Sequence, residues 1–205
     1  MNQKILLHFG GVMLIIFLLI SGIQPYDRLT WLMEVLPVII ALPLLWLTRN
    51  RYPLTALLYV WIGIHACVLI LGGTYTYARV PLGFALQDWL MLERNPYDKV
   101  GHFMQGLVPT LLAREILIKG EYVNNRAMLS FLVLCVALAV SATYELIEWA
   151  AAELVADGAI EFLGTQGDPW DAQSDMLFAL IGAVVGLLIF SGWHDQQIQR
   201  QRDRY

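Results

Sequence analysis

An all-α polytopic membrane bundle is the fold class this sequence predicts, and three observations predict it. Of 205 residues 58% are apolar and only 15% are charged, against about 25% charge in an ordinary soluble domain. The apolar residues form unbroken runs, such as 5–20, instead of the spaced pattern that hides one face of a soluble helix or strand. Several runs also approach or reach the roughly 18–25 residues that cross about 30 Å of hydrocarbon. A mean hydropathy of +0.59 excludes a disordered chain, and a net charge of −4 without a basic patch speaks against nucleic acid as a partner. The lipid bilayer is the one partner that composition implies. Cys67 and Cys135 both lie inside apolar runs and form no C-x-x-C motif, so neither a disulfide framework nor a thiolate metal site is expected.

Taken in order, the spans fall at 5–23, 29–47, 54–71, 99–118, 127–147 and 175–192, and 1–205 reads as one integral membrane domain. The first is too long for the apolar core of a signal peptide and has no small-x-small cleavage site before Leu29, so it is expected to be retained. Pro37 and Pro43 in the second span and Pro109 in the fourth can kink their helices, which membrane bundles tolerate. The connections 72–98 and 148–174 are too short to fold alone. Within the first of them Leu82, Ala85, Leu86, Trp89 and Leu90 recur at helical spacing, which predicts a short helix that either caps the bundle, the favoured reading, or lies in the interface. The polar tail 195–205 reads as a helix extension.

Alternating these spans places Lys4, Arg49, Arg51, Arg114, Lys119, Arg126, Arg200, Arg202 and Arg204 on one side, against Arg28, Arg79, Arg94 and Lys99 on the other. The side richer in Lys and Arg is cytoplasmic. Both termini are therefore expected in the cytoplasm and both long connections on the outer face, which in a bacterial cell is periplasmic.

Ionisable residues at mid-membrane cost about 2.5–3.5 kcal/mol each and default to a functional hypothesis. Here they are grouped. Asp98 and His102 stand at i, i+4 at the start of span four, Glu145 and Glu148 at i, i+3 at the end of span five, and Asp171 and Asp175 at i, i+4 at the start of span six. All three pairs fall at the outer face, with His65 of span three at a similar level. The connection before span six adds Glu153, Asp157, Glu161 and Asp168 and contains no Lys or Arg, so the local field is strongly negative and demands a cation. Carboxylates with one or two imidazoles suit a divalent ion, Zn²⁺, Mn²⁺, Mg²⁺ or Ca²⁺. The competing reading makes Asp98 and Asp171 helix N-caps, His102 a hydrogen-bonded interior residue and Glu148 a wetted helix end. Capping leaves Glu145, Asp175 and His102, a turn deeper, without an explanation. Glu34 is either a further carboxylate of this site or a residue that snorkels outward. Arg114 and Glu115 read as an ion pair at a helix end, and His8 and His194 have no evident partner. No H-E-x-x-H, G-x-S-x-G or P-loop signature is present, so no nucleophile is nominated.

The strings Gly73–Pro81, Arg94–Phe103, Tyr144–Trp149 and Gly164–Asp171 resemble the YjdF family of bacterial inner-membrane proteins, over most of the chain. That resemblance implies a location and no reaction. A more distant one, over spans four to six, is to VanZ-like membrane proteins, on Asp98, Lys99, His102, Phe103, Glu145, Asp175, Gly182 and Gly186. The chain departs from that pattern at Glu148, where a glutamine is expected, and at Ala179, where an asparagine is expected. Three function classes follow: a metal-dependent enzyme acting on a lipid-linked or envelope substrate, an ion- or proton-coupled transporter, and a structural or regulatory membrane protein. Charges confined to one face favour the enzyme, because a translocation path needs polar groups through the full thickness.

Overall fold

A computed structural model describes residues 3–155 and 166–203, and every element among them is helical. In chain order these are α1 (Gln3–Ser21), α2 (Arg28–Thr48), α3 (Ala56–Tyr75), α4 (Pro81–Leu90), α5 (Tyr97–Lys119), α6 (Arg126–Val155) and α7 (Asp171–Val185). A π-turn at Gly186–Phe190 then leads without a break into α8 (Ser191–Arg202). Asp157, Glu161 and Arg204 lie outside the described residues.

Four helical stretches are long and apolar enough to cross a membrane by themselves: α2, α3, Arg126–Leu154 in α6, and the continuous α7–α8 rod. Among the described residues the apolar part of α1 is Leu7–Ser21, within a helix of 19 residues. α5 is long enough but carries Asp98, Lys99, His102, Gln105, Arg114, Glu115 and Lys119. Its position accounts for that polarity. α5 packs against α3, α6, α7 and α8, so its polar side chains meet protein instead of lipid.

Local chemistry sets the ends. The Asp27 carboxylate accepts the Thr30 N–H at 2.7 Å and opens α2, and the Thr55 hydroxyl accepts the Leu58 N–H at 3.3 Å and opens α3. α3 closes on Thr76, which adopts a left-handed φ of 59° and donates its N–H to the Gly72 carbonyl. The short helix expected in the first long connection forms as α4, with Pro81 in its first turn. α2 and α5 continue through Pro37, Pro43 and Pro109. α6 passes the expected end at 147 and runs to Val155, so the second long connection is shorter than the sequence suggests.

The closest helix pair is α5 with α7. A Cβ on Gly106 would lie 1.7 Å from the Ala179 carbonyl oxygen, and one on Gly182 would lie 2.0 Å from that of Phe103. Only glycine permits this approach, which is how membrane helices associate without a hydrophobic driving force. The two helices run in the same direction. His102 is one turn before Gly106 and Asp175 one turn before Ala179, so the contact sets these two side chains face to face; Asp98 and Asp171 follow one turn further out.

The opposite end of α5 is held by a second polar group. Glu115, fully buried, accepts from the Thr55 N–H at 2.9 Å, the Thr55 hydroxyl at 2.7 Å and the Lys119 ammonium at 2.5 Å, and lies 2.8 Å from Nε2 of the fully buried His194. Arg114 does not pair with its neighbour Glu115; it reaches Asp195 at 2.6 Å and faces His194 Nδ1 at 3.5 Å. This network ties the start of α3, the end of α5 and α8, and it supplies the partners His194 lacks in a sequence reading.

Candidate functional site

His102 is 5% exposed and is surrounded by carboxylates from three helices. Its Nε2 lies 3.4 Å from Asp98 Oδ1 and 3.7 Å from Asp175 Oδ2, and its Nδ1 lies 3.7 Å from Glu145 Oε1 and 3.1 Å from Gln105 Oε1. Only the last is a hydrogen-bond distance. When Nδ1–H donates to Gln105, the lone pair on Nε2 faces two carboxylate oxygens, an arrangement that a proton or a metal ion relieves. One ligand atom each from Asp98, His102 and Asp175 lies within 4.8 Å of the others. Glu145 Oε1 is buried and has no hydrogen-bond partner.

The cation that the sequence analysis required is in part Lys99. Its ammonium lies 2.9 Å from Asp171 Oδ1, 2.5 Å from Asp175 Oδ1 and 3.9 Å from Asp98. Arg94 adds 2.8 Å contacts to Asp171 and to Asp168. Asp175 thus divides its carboxylate, with Oδ1 on Lys99 and Oδ2 toward His102. Asp171 is taken up by Arg94 and Lys99; α7 opens without a side-chain cap, so capping is not its role. Asp98 likewise does not cap α5, since the Tyr97 N–H is accepted by the buried Asn95 side chain at 3.0 Å.

Asn95 is also the clasp of the site end. Its side chain donates to the Val80 carbonyl at 3.1 Å, fixing α4, and its backbone exchanges hydrogen bonds of 3.2 and 3.0 Å with the Gln166 amide, fixing the stretch before α7.

The structure therefore brings Asp98, His102, Glu145 and Asp175 together, with Asp171 one step away. His65 and Glu148 do not join that cluster. They line a cavity of about 1500 Å³ on the far side of Asp98 and His102, together with Glu34, Gln105 and Tyr144. Glu34 belongs to this wall and does not snorkel: it is buried and accepts the Tyr144 hydroxyl at 3.0 Å. A second cavity, of about 1050 Å³, opens on Arg94, Lys99 and Asp168. Sequence reasoning missed Lys99 and Gln105. A signal for Lys99 existed, since a connection with carboxylates and no basic residue needs its counter-ion from elsewhere, and Arg94 and Lys99 flank Asp98 in the chain.

The family described as "Predicted membrane protein (DUF2238)" matches residues 6–196. The chain belongs to that family. Among relatives of the DUF2238 chain, "Inner membrane protein YjdF" of Escherichia coli (strain K12) is 57% identical over 198 residues, which cover 97% of this chain and 95% of that protein. With its long apolar helices, this makes the DUF2238 chain an integral protein of the inner membrane. No solved structure matches it.

Proposed function

We propose that the protein is a divalent-metal-dependent enzyme of the inner membrane whose site opens on the periplasmic face. Six spans with both termini cytoplasmic give that orientation, and the Lys/Arg asymmetry supports it. The observation that carries the proposal is the position of His102 Nε2 between Asp98 Oδ1 and Asp175 Oδ2, at 3.4 and 3.7 Å. Ligands about 2.0–2.2 Å from a common ion stand at such separations from one another. Glu145, whose buried oxygen lacks a hydrogen-bond partner and lies 3.7 Å from His102 Nδ1, would complete the ligand set after a side-chain rotation toward Nε2. Lys99 and Arg94 orient Asp175 and Asp171 from behind, as outer-shell groups do in metal sites. A bound ion would supply an activated water or polarise a phosphoryl or acyl group of an envelope substrate. Asp171 is a supporting residue beside Lys99, and Glu148 and His65, which stand outside the cluster on the cavity wall, would serve as alternate ligands only after side-chain rearrangement.

A second reading is favoured by Lys99, which already offsets part of the negative charge. In it His102 holds a proton among the carboxylates, and the cluster is a proton or ion relay of a transporter. Elemental analysis of protein purified without chelator separates the two. The metal reading expects about one equivalent of a divalent ion, lost in His102→Gln and in Asp175→Asn. Less than about a tenth of an equivalent, with melting indifferent to added Zn²⁺, Mn²⁺, Mg²⁺ and Ca²⁺, overturns it.

A further inference from the structure

The 1500 Å³ cavity is larger than the roughly 300–1,000 Å³ of an ordinary small-molecule site. Its walls come from α1, α2, α3, α5 and α6 and are almost wholly apolar, except for His8 beside Trp46 near one end and a larger polar group at the other. That end carries Glu34, His65, Asp98, His102, Tyr144 and Glu148. Along α2 the wall runs from Glu34 to Leu47, which at about 1.5 Å per residue is ~20 Å, comparable with the ~15 Å of hydrocarbon in one leaflet. Exposed wall residues on three helices, Val12, Ile64 and Val140, place its mouth on the lipid-facing side.

Three glycines of the wall have no packing reason to be glycine. A Cβ on Gly10, Gly11 or Gly63 would meet nothing within 4 Å, whereas Gly106 and Gly182 are pressed against backbone. Side chains at the first three positions would fill the cavity. At the polar end, His65 Nε2 is buried and lacks a hydrogen-bond partner. Among the described residues no Lys or Arg lines the cavity, while three carboxylates do. An anionic head group would be repelled there, and an ammonium would be held.

We infer that this cavity binds one long-chain membrane lipid with a primary-amine head group, its tail lying along α1, α2 and α3 and its amine at Glu34 and Glu148. That the lipid is also the substrate rests on the metal-site reading, since His102 and Asp98 line the cavity and belong to the metal cluster. Binding itself does not.

The test is lipid mass spectrometry of the full-length protein reconstituted in nanodiscs of equal parts phosphatidylethanolamine and phosphatidylglycerol, then extracted in mild detergent. Retained lipid is expected to be enriched several-fold in phosphatidylethanolamine. Gly63→Phe and, independently, Gly11→Leu should abolish the enrichment, while Gly192→Leu, on α8 where a Cβ also meets nothing within 4 Å, should preserve it. Retained lipid of bulk composition, enrichment in phosphatidylglycerol, or unchanged enrichment in both filling variants overturns the inference. Metal content is read on the same samples. Asp175→Asn should retain the lipid even if it loses metal, and a protein with lipid but no metal at all leaves this site standing and removes only its role as substrate site.

Discussion

Gly106 and Ala179 touch so closely that a single Cβ on the glycine would stand 1.7 Å from the alanine carbonyl oxygen. That contact holds His102 opposite Asp175, because each of these lies one helical turn from its member of the pair. Gly106→Val should therefore damage the site from a distance. The added side chain meets backbone, which cannot rotate away, so the expected destabilisation is at the upper end of the about 1–3 kcal/mol typical of overpacking, or beyond it. Thermal melting in detergent checks this, and metal content should fall in the fraction that stays folded. A variant with unchanged melting would show that α5 and α7 are not packed as described.

Lys99 yields the second prediction. Its side chain is 11% exposed and bridges Asp171 and Asp175, which are 6% and 2% exposed. Lys99→Met keeps the stem and removes the charge, leaving Asp175 buried without its partner, a change that costs about 3–5 kcal/mol in buried pairs. Adding Asp175→Asn should restore much of the loss, because the neutral amide no longer requires a cation. A double variant as unstable as Lys99→Met alone would mean that Lys99 acts through packing only.

The fold class was legible in the long apolar runs, and the pairing of Asp98 with His102 and of Asp171 with Asp175 was legible because helical periodicity makes them neighbours whatever the tertiary structure. What the sequence hid depends on rotation of one helix about another. His65 and Glu148 sit at the same depth as His102, yet they line the lipid-side cavity, while Asp175 approaches from α7. Depth follows from counting residues; facing does not. The polar end of α5 was misread for a related reason. Arg114 and Glu115 are adjacent in sequence and so point about 100° apart on a helix, and each finds its partner on another element, Asp195 and His194.

That far network yields a prediction that separates structure from function. Glu115 satisfies Thr55, Lys119 and His194 at once and is fully buried. Glu115→Gln removes its charge and at least one of its charge-assisted hydrogen bonds, worth about 1.5–3 kcal/mol each. The melting temperature should drop while metal content per folded molecule and lipid enrichment stay at wild-type levels. Loss of metal in this variant would indicate that the two ends of α5 are coupled, which the static geometry does not require.

Orientation is the last prediction, and the reading of the site as periplasmic depends on it. Six spans put the connection around 126 and the connection around 164 on opposite sides of the membrane, with nine Lys and Arg on the first side against four on the other. Two helices are not self-evident spans. The apolar part of α1 among the described residues is Leu7–Ser21, and α5 is too polar to be recognised by hydropathy. Enclosure by α3, α6, α7 and α8 makes a polar α5 tolerable as a span, because its charged groups meet partners in the bundle and avoid lipid. Reporter fusions placed after Arg126 and after 164 test this directly. A cytoplasmic reporter should be active at the first site and silent at the second, and a periplasmic reporter should give the reverse. If both sites report the same side, α5 and α6 do not cross as a pair with α7 following, and the acidic cluster at the start of α5 and α7 cannot face the periplasm together. If the two sites report opposite sides with the signs exchanged, the spans stand but the cluster faces the cytoplasm. The proposed enzyme would then draw on cytoplasmic substrates.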